Sequence, residues 1–388
     1  MRLLTDTGPS LREHLEQHGP LPTLDQGRLL EQVDRSGLRG RGGAGFPTGR
    51  KLRTVSAGRR TVVLANGCEG EPAADKDVAL LSRHPHLVLD GIAVAARAVG
   101  AVETHIAVRA GSAALPAVRR ALGERPQGVV LHEVPDRYVA SEETALVNFV
   151  NTGVALPTFG TRPFEQGIGR RPTLVNNVET LANLALIARH GTEWFRALGD
   201  PDEPGTLLLT VTHEGVRRVL EVPTGTALGG LVSLEHVRAI LVGGYFGTWI
   251  PADQAQGLAL THRDLRAASG ALGAGVVITL PPGVCGLAET ARIAHYLAGQ
   301  NAGQCGPCIN GLPAIADALH RLAHGPWDDA MMPRLDRWLG IVAGRGACRH
   351  PDGAVQLVRS AFITFAPDVA RHRTHGPCSG HKRPSVLP

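Results

Sequence analysis

Apolar positions recur in two rhythms along this chain. Over residues 1–35, Leu11, Leu15, Leu29, Leu30 and Val33 are separated by charged residues, which predicts a helical lead-in. The continuous apolar run Thr61–Ala65 predicts a short buried strand ending at Asn66-Gly67. The longer rhythm returns over Pro85–Val99. Strands are predicted at Thr104–Val108 and Gly128–Val134, with a helix over Ala113–Leu122 between them. Further helices follow over Glu142–Val150 and Thr180–Arg189. Strand and helix alternate, so this part reads as α/β, a parallel sheet with helices on its faces.

Pro201-Asp202-Glu203-Pro204 is a turn-rich boundary. Beyond it, Thr206–Val211 and Arg218–Val222 read as a hairpin across Glu214-Gly215. Leu228–Val232 reads as a short helix, and Arg238–Val242 and Gly275–Leu280 as strands. This is a small β-rich unit of β-grasp size. After Pro281-Pro282-Gly283 the helical rhythm takes over. Leu287, Ala291, Ala294 and Leu297 share a face, as do Leu312, Ile315, Leu319 and Leu322, then Leu335, Trp338, Leu339 and Val342. With Val355–Phe365 they predict a four-helix bundle. The resulting division is a lead-in (1–35), an α/β domain (36–200), a β-grasp-like domain (201–280), a helical bundle (281–370) and a flexible polar tail (371–388).

Composition narrows the function classes. The formal charge of +5 is spread without a block of like charges, so nucleic-acid binding is not implied. No apolar stretch approaches the length of a membrane span, and the first residues do not resemble a signal peptide. Six cysteines are too few for a disulfide scaffold in 388 residues. Their bias towards the C-terminus suggests reduced thiols that bind something, in a cytoplasmic setting. Aromatics make up only 4% of the chain, so any exposed one is informative.

Five constellations carry candidate chemistry. Gly37–Gly49 holds six glycines and two arginines, with Lys51 just beyond. Such a stretch is either a mobile surface loop or a cradle of main-chain N–H groups and cations for a phosphate. The stiff Phe46-Pro47 pair and the flanking basic residues favour the cradle. Asn66–Pro72, followed by Asp75-Lys76-Asp77, places Glu69 and Glu71 at a strand end, as an acidic turn or as acceptors for ribose hydroxyls or a carboxamide. Tyr138–Thr144 offers either Ser141 as a helix cap with Glu142 and Glu143 in the first turn, or a tyrosine and two carboxylates facing a ligand. Asn176-Asn177 at a helix start either caps that helix or holds a phosphate. Cys305-Gly306-Pro307-Cys308, with Cys348 further on, suits a metal or an iron–sulfur centre.

In this order the five elements resemble the NADH-binding flavoprotein subunit of respiratory complex I and its relatives in NAD-linked hydrogenases and formate dehydrogenases. Gly37–Gly49 is similar to that family's FMN loop almost letter for letter. Asn66–Pro72, Tyr138–Thr144, Pro172–Thr180 and Ala302–Cys308 with Cys348 resemble its further motifs. The resemblance implies a Rossmann-like FMN domain, a small β-grasp (SLBB) domain and a helical bundle carrying a 4Fe–4S cluster. It implies that Gly40, Arg41, Gly42, Gly43 and Lys51 hold the FMN phosphate and ring edge, and that Asn66, Tyr138, Glu142, Asn176 and Asn177 complete the flavin site. Phe46, Glu71, Glu143, Arg162 and Phe164 would line the NADH side, with Phe46 stacked on adenine. Cys305, Cys308 and Cys348 would be cluster ligands. No protein acid or base is implied, because the flavin takes the hydride.

The chain departs from the family pattern at several points. Ala302 stands where the first cluster cysteine is expected, which leaves Cys285, His350 or solvent as sources of a fourth ligand, or else a lost or labile cluster. Cys68 replaces an acidic residue, Ser141 a glycine, Leu52 and Thr54 aromatic residues, and Arg162 a lysine. The implied activity is that of an NADH dehydrogenase (diaphorase) passing single electrons through the iron–sulfur centre to an iron–sulfur protein or subunit, within a hetero-oligomer. That assembly would be cytoplasmic, or peripheral to the membrane through a partner. The alternatives are a degenerate, non-catalytic paralogue acting as a structural or flavin-binding subunit, and a zinc-binding scaffold without flavin. Retention of Glu71, Glu143 and Phe164 argues against degeneracy.

Overall fold

The computed structural model describes residues 1–125 and 128–387. The chain forms two units. The first comprises Met1–Gly70, Ala74–Leu209 and Val219–Thr226, and the second Glu71–Ala73, Thr210–Arg218 and the residues from Ala227 onward.

The first unit begins with two capped helices. α1 (Leu11–His18) is closed by a capping box between Ser10 and Glu13. α2 (Gln26–Ser36) is capped by Asp25 and ended by Gly37 in the left-handed conformation, which turns the chain into the glycine-rich loop. Then come α3 (Thr48–Ser56), β1 (Val62–Gly67), α4 (Lys76–Arg83), α5 (Pro85–Val99), β2 (Glu103–Arg109), α6 (Leu115–Gly123), β3 (Val129–Val134), α7 (Glu143–Thr152), β4 (Thr173–Asn177) and α8 (Val178–Arg196). The four strands are parallel, in the order β3-β2-β1-β4. Alternation along β1 explains its unbroken apolar run: Val63 and Ala65 enter one core with Leu87, Ile92 and Leu181, while Val62 and Leu64 enter another with Leu146, Ile168 and Val175. A strand buried on both faces has no polar alternation to show.

β5 (Thr206–His213) starts in the first unit and β6 (Val216–Pro223) ends there, with Thr210–Arg218 belonging to the second; they are joined by Glu214 and Gly215, both at positive φ (50° and 75°), as a two-residue hairpin turn requires. β7 (Ala239–Val242), β8 (Thr248–Pro251), α9 (Ala252–Ala255), α10 (His262–Ala267) and β9 (Val276–Leu280) follow. The sheet runs β6-β5-β9-β7-β8, with β9 parallel to β5 and antiparallel to β7. The helices are α11 (Gly286–Gly299), α12 (Leu312–His324), α13 (Met331–Val342), α14 (His350–Thr364) and α15 (Ala366–His375). The faces predicted for α11 and α12 are the buried ones.

Four expectations change. The helices α3 and α4, the strand β4, the short β8 and the helices α9 and α10 have no counterpart in the sequence pattern. Ser141 does not cap α7: it lies in a 3₁₀ turn, Tyr138–Ser141, its hydroxyl donating to Tyr138 O, and Glu142 caps instead. Leu228–Gly230 forms only a 3₁₀ turn. The residues from Arg371, read as a loose tail because they are polar, complete α15 and form a second 3₁₀ turn, Ser379–Lys382. Beyond that turn the Ser385 hydroxyl donates to Glu289 at 2.8 Å. Pro388 lies outside the described residues.

Candidate FMN and iron–sulfur sites

The order of the first sheet creates the site. The chain steps outward from β1 to β2 and β3, then returns to the other side of β1 for β4. The carboxyl ends of β1 and β4 therefore flank a topological switch point, where open α/β sheets bind ligands. Register brings the amides together there: Ala65 lies opposite Asn176, and Asn66 opposite Asn177. Asn66 donates to Ser141 O (2.9 Å) and accepts from Cys68 N–H (3.0 Å). Asn177 caps α8 through Glu179 N–H (2.9 Å) and donates to Asp77 (2.6 Å). Asn176 differs. It is buried, yet its Nδ2 has no hydrogen-bond partner among the described residues. An orphaned buried donor costs about 1–3 kcal/mol, so its position marks where a ligand acceptor fits.

The glycine-rich loop is tied at its base. Gly40 N–H donates to Phe46 O and Thr48 N–H to Leu38 O, each at 2.9 Å, and Arg39 reaches Gly45 O at 3.2 Å. Gly43 (φ 109°) and Gly45 (φ 62°) adopt backbone angles that side chains resist. A Cβ on Gly42 would stand 3.2 Å from the Asn177 side chain, so the loop lies directly against the switch-point amides. Lys51 Nζ donates to Val175 O (2.7 Å) at the end of β4 and pairs with Glu143 (3.2 Å), whose side chain is half exposed. Phe46 is half exposed, with Arg50 5.8 Å from its ring centre. Arg162 is exposed and stands 5.8 Å over the half-buried Phe164. Glu142 is committed to the α7 cap, its carboxylate accepting Thr144 N–H (2.9 Å) and Ala145 N–H (3.0 Å), and burial raises its pKa.

Two expected ligand contacts are otherwise engaged. The Arg41 guanidinium turns into the protein, donating to Pro204 O (3.2 Å), while its main-chain N–H bonds the Thr180 hydroxyl (2.8 Å). Burial lowers its pKa against the attraction of Glu179 and Glu203. Glu71 belongs to the second unit and accepts Ala73 N–H (3.2 Å) and Tyr245 N–H (2.8 Å). A carboxylate so placed holds the Gly244-Tyr245 turn.

Sequence reasoning passed over the buried charge cluster behind the loop. Lys76 Nζ lies 2.7 Å from Asp77 and 2.9 Å from Glu179, all nearly inaccessible. Burial alone would lower the Lys76 pKa, but Asp77, Glu179 and Glu69 outweigh it and hold the ammonium above the usual lysine range. Burial raises Glu179, yet Lys76 and the Leu208 N–H (2.9 Å) bind its two oxygens, and we assign it as the carboxylate. Glu69, accepting the Asp77 and Val78 N–H groups at 3.1 Å, is pushed up to about 8 by burial and by Asp77. The signal in the sequence was Asp75-Lys76-Asp77, which reads equally as an exposed acidic turn.

In the second unit, Cys305 and Cys308 thiols hydrogen-bond each other, and Cys348 stands close enough to raise the Cys308 pKa. Burial pushes Cys305 upward, but N–H groups of Ala347 and Cys308 and the Cys308 thiol bring it below the ordinary thiol value. The Ala302 N–H reaches the Cys308 sulfur, so Ala302 lies at this centre with only a methyl group to offer. Neither expected substitute joins them: Cys285 groups with His372 and Cys378, and His350 Nε2 bonds Leu297 O at 2.8 Å.

These sites coincide with known families. Residues 33–186 match the Nuo51 FMN-binding domain, and residues 288–372 match the NADH-ubiquinone oxidoreductase-F iron–sulfur binding region. The chain is 30% identical to the F 2 subunit of the NADH-quinone oxidoreductase of Rhizobium meliloti, covering 96% of this chain and 93% of that protein. It is 28% identical to the mitochondrial NADH dehydrogenase [ubiquinone] flavoprotein 1 of Dictyostelium discoideum, covering 89% and 79%. Among solved structures, a NAD+-reducing [NiFe]-hydrogenase in the H2-reduced state superposes with a TM-score of 0.82 at 30% identity. That match covers 94% of this chain and 64% of the hydrogenase chain. No helix among the described residues is long and apolar enough to cross a membrane. The chain belongs to the family of NADH-quinone oxidoreductase F subunits.

Proposed function

We propose that this chain is an NADH-oxidising FMN flavoprotein subunit, delivering electrons through an iron–sulfur centre to an iron–sulfur protein in a hetero-oligomer, peripheral to a membrane if that partner is. The observation that carries this reading is the topological switch point, where Asn176 Nδ2 is buried without a partner among the described residues at the end of β4 and the glycine-rich loop packs against Asn177. FMN, when bound, accepts hydride from NADH and gives up electrons singly. The chain's own residues position and screen. Main-chain N–H groups of Gly42 and Gly43 and the Lys51 ammonium would hold the anionic end, while Gly40 ties the base of the loop through Phe46 O. Asn66, Asn176 and Asn177 set the amide floor, and Tyr138 and Glu142 fix its wall. Arg41 contributes by anchoring the loop to Thr180 and Pro204. Phe46, Glu143, Arg162 and Phe164 remain on the exposed side for the nucleotide, whereas Glu71 holds its own turn.

The test is the visible spectrum of anaerobically purified protein. A flavin band bleached by NADH supports the reading; flavin that stays oxidised, or none bound, overturns it. Truncating Phe46 to alanine should raise KM for NADH about five- to tenfold, the equivalent of roughly 1–1.5 kcal/mol of aromatic stacking, with kcat and flavin content little changed. Steady-state kinetics beside a flavin count checks this.

For the cluster, Cys305, Cys308 and Cys348 supply three thiolates where such clusters commonly have four. Ala302→Cys should therefore strengthen the EPR signal of the dithionite-reduced protein and raise its iron and sulfide content. An unchanged signal would mean that another donor completes the centre.

A further inference from the structure

A second group of soft ligands lies outside the Cys305–Cys308–Cys348 centre. Cys285, His372 and Cys378 bring two sulfurs and an imidazole nitrogen within 4.8 Å of one another. Cys285 and His372 are buried, and Cys378 is half-buried. The Cys285 sulfur is 3.7 Å from His372 Nε2, and the two thiols hydrogen-bond each other. The imidazole is oriented for ligation. Its Nδ1 donates to Leu322 O at 3.2 Å, which fixes the tautomer and leaves the Nε2 lone pair facing the sulfurs. Nε2 now receives the Cys378 N–H at 3.1 Å, a bond that a cation would replace through a small movement after Gly376 (φ 77°). A carboxylate on the same helix acts on this group. Asp368, one turn before His372 on α15, pairs with Arg238 through Oδ1 (2.6 Å) and acts electrostatically on Cys285, while its Oδ2 is buried without a hydrogen-bond partner among the described residues.

We propose that Cys285, His372 and Cys378 form a structural zinc site that pins the C-terminal segment to the start of α11. Two thiolates and an imidazole are three of the four donors that tetrahedral zinc takes, and largely buried surroundings are those of structural sites. Binding Zn²⁺ would release the two thiol protons to solvent and form two Zn–S bonds and one Zn–N bond, with no change of oxidation state. The surroundings are built for closure. A Cβ on the buried Gly380 would lie 2.5 Å from Gly283 O and 2.9 Å from Cys285 N, so the segment after Cys378 already packs on the turn that presents Cys285. The ligand order, a distant cysteine and then His-x₅-Cys, matches no common zinc spacing, which is why it is silent in the sequence.

The test is metal analysis of the full-length purified protein with Co²⁺ titration after chelation. One equivalent of zinc is expected, and one equivalent of Co²⁺ should give thiolate charge-transfer and tetrahedral d–d bands. Cys378→Ser, at the more exposed position, should abolish these bands, as should His372→Ala, while Cys305→Ser/Cys308→Ser should retain them. Bands that survive Cys378→Ser and vanish with Cys305→Ser/Cys308→Ser would overturn the proposal, as would the absence of bands in the parent protein. A parent protein lighter by two hydrogens, with Cys285 and Cys378 resistant to alkylation, would replace the zinc site with a disulfide.

Discussion

Replacing Lys76 by methionine should destabilise the first unit by about 3–5 kcal/mol, the usual cost of leaving a buried charge without its partner. Lys76 neutralises Asp77 and Glu179 at 2.7 and 2.9 Å in a site from which water is excluded. Without it, two carboxylates face each other with Arg41 left to offset them. Flavin retention should fall with stability, since Asp77 holds Asn177 and Asn177 caps α8 beside the glycine loop. The double variant Lys76→Met/Glu179→Gln removes one charge of each sign and keeps an acceptor for Leu208 N–H. It should recover at least about 1 kcal/mol relative to the single variant. Urea denaturation of the three proteins checks both statements, and additivity of the two substitutions would sink the coupling.

The same cluster sets a pH dependence. Glu69 is held at about 8 in the folded protein, above its ordinary value of 4.5. The folded state therefore binds more protons than the unfolded state between these values. This contribution to stability is fully present below about 4.5 and is lost as pH rises through about 8. His18 and His84 act oppositely: burial lowers each from 6.5 to about 4, so their contribution is present above 6.5 and is lost as pH falls towards 4. A stability maximum between these two declines is expected, and Glu69→Gln should flatten the alkaline side alone in thermal melts taken across pH.

How much of this was legible in the sequence depends on where each signal lies. Of the first sheet, β1, β2 and β3 could be read, β1 because burial on both faces makes it a continuous apolar run, whereas β4 lay hidden in a motif that reads as a helix start. The helix Pro85–Val99 was placed at its observed bounds, since His84-Pro85 opens it and Gly100 closes it. The amides at Asn66, Asn176 and Asn177 were recognisable as motifs, but only the strand register shows which of them lacks a partner. Arg41 and Glu71 show what spacing does not carry: a charged side chain in a binding motif can turn inward when the backbone offers acceptors or donors. Lys76 was hidden because a buried ion cluster and an exposed acidic turn share the same letters. The last residues were misread on polarity, although His372 and Cys378 there are held by packing.

Gly91→Ala is expected to be among the most damaging single substitutions in the first unit. In an exposed helix this change stabilises by up to about 1 kcal/mol. Here α5 crosses α8 with no room for a methyl group: a Cβ on Gly91 would lie 2.0 Å from Leu181 O, 2.3 Å from its carbonyl carbon and 2.9 Å from its Cα. All three are backbone atoms of a helix, so no side-chain rotation relieves the overlap. The helices must part by more than an ångström, loosening a core that includes Leu87, Leu181 and Leu184. Overpacking a core costs roughly 1–3 kcal/mol, occasionally more, and a rigid helix–helix contact belongs at or above the top of that range. The effect should reach the site as well, because α8 is capped by Asn177 and carries Glu179 in its first turn. The variant is therefore expected to melt several degrees lower and to lose flavin on gel filtration. Gly123→Ala provides the control: it ends α6, and a Cβ there meets nothing within 4 Å. If both variants melt with the parent protein, the close approach of α5 and α8 is not what the first unit depends on.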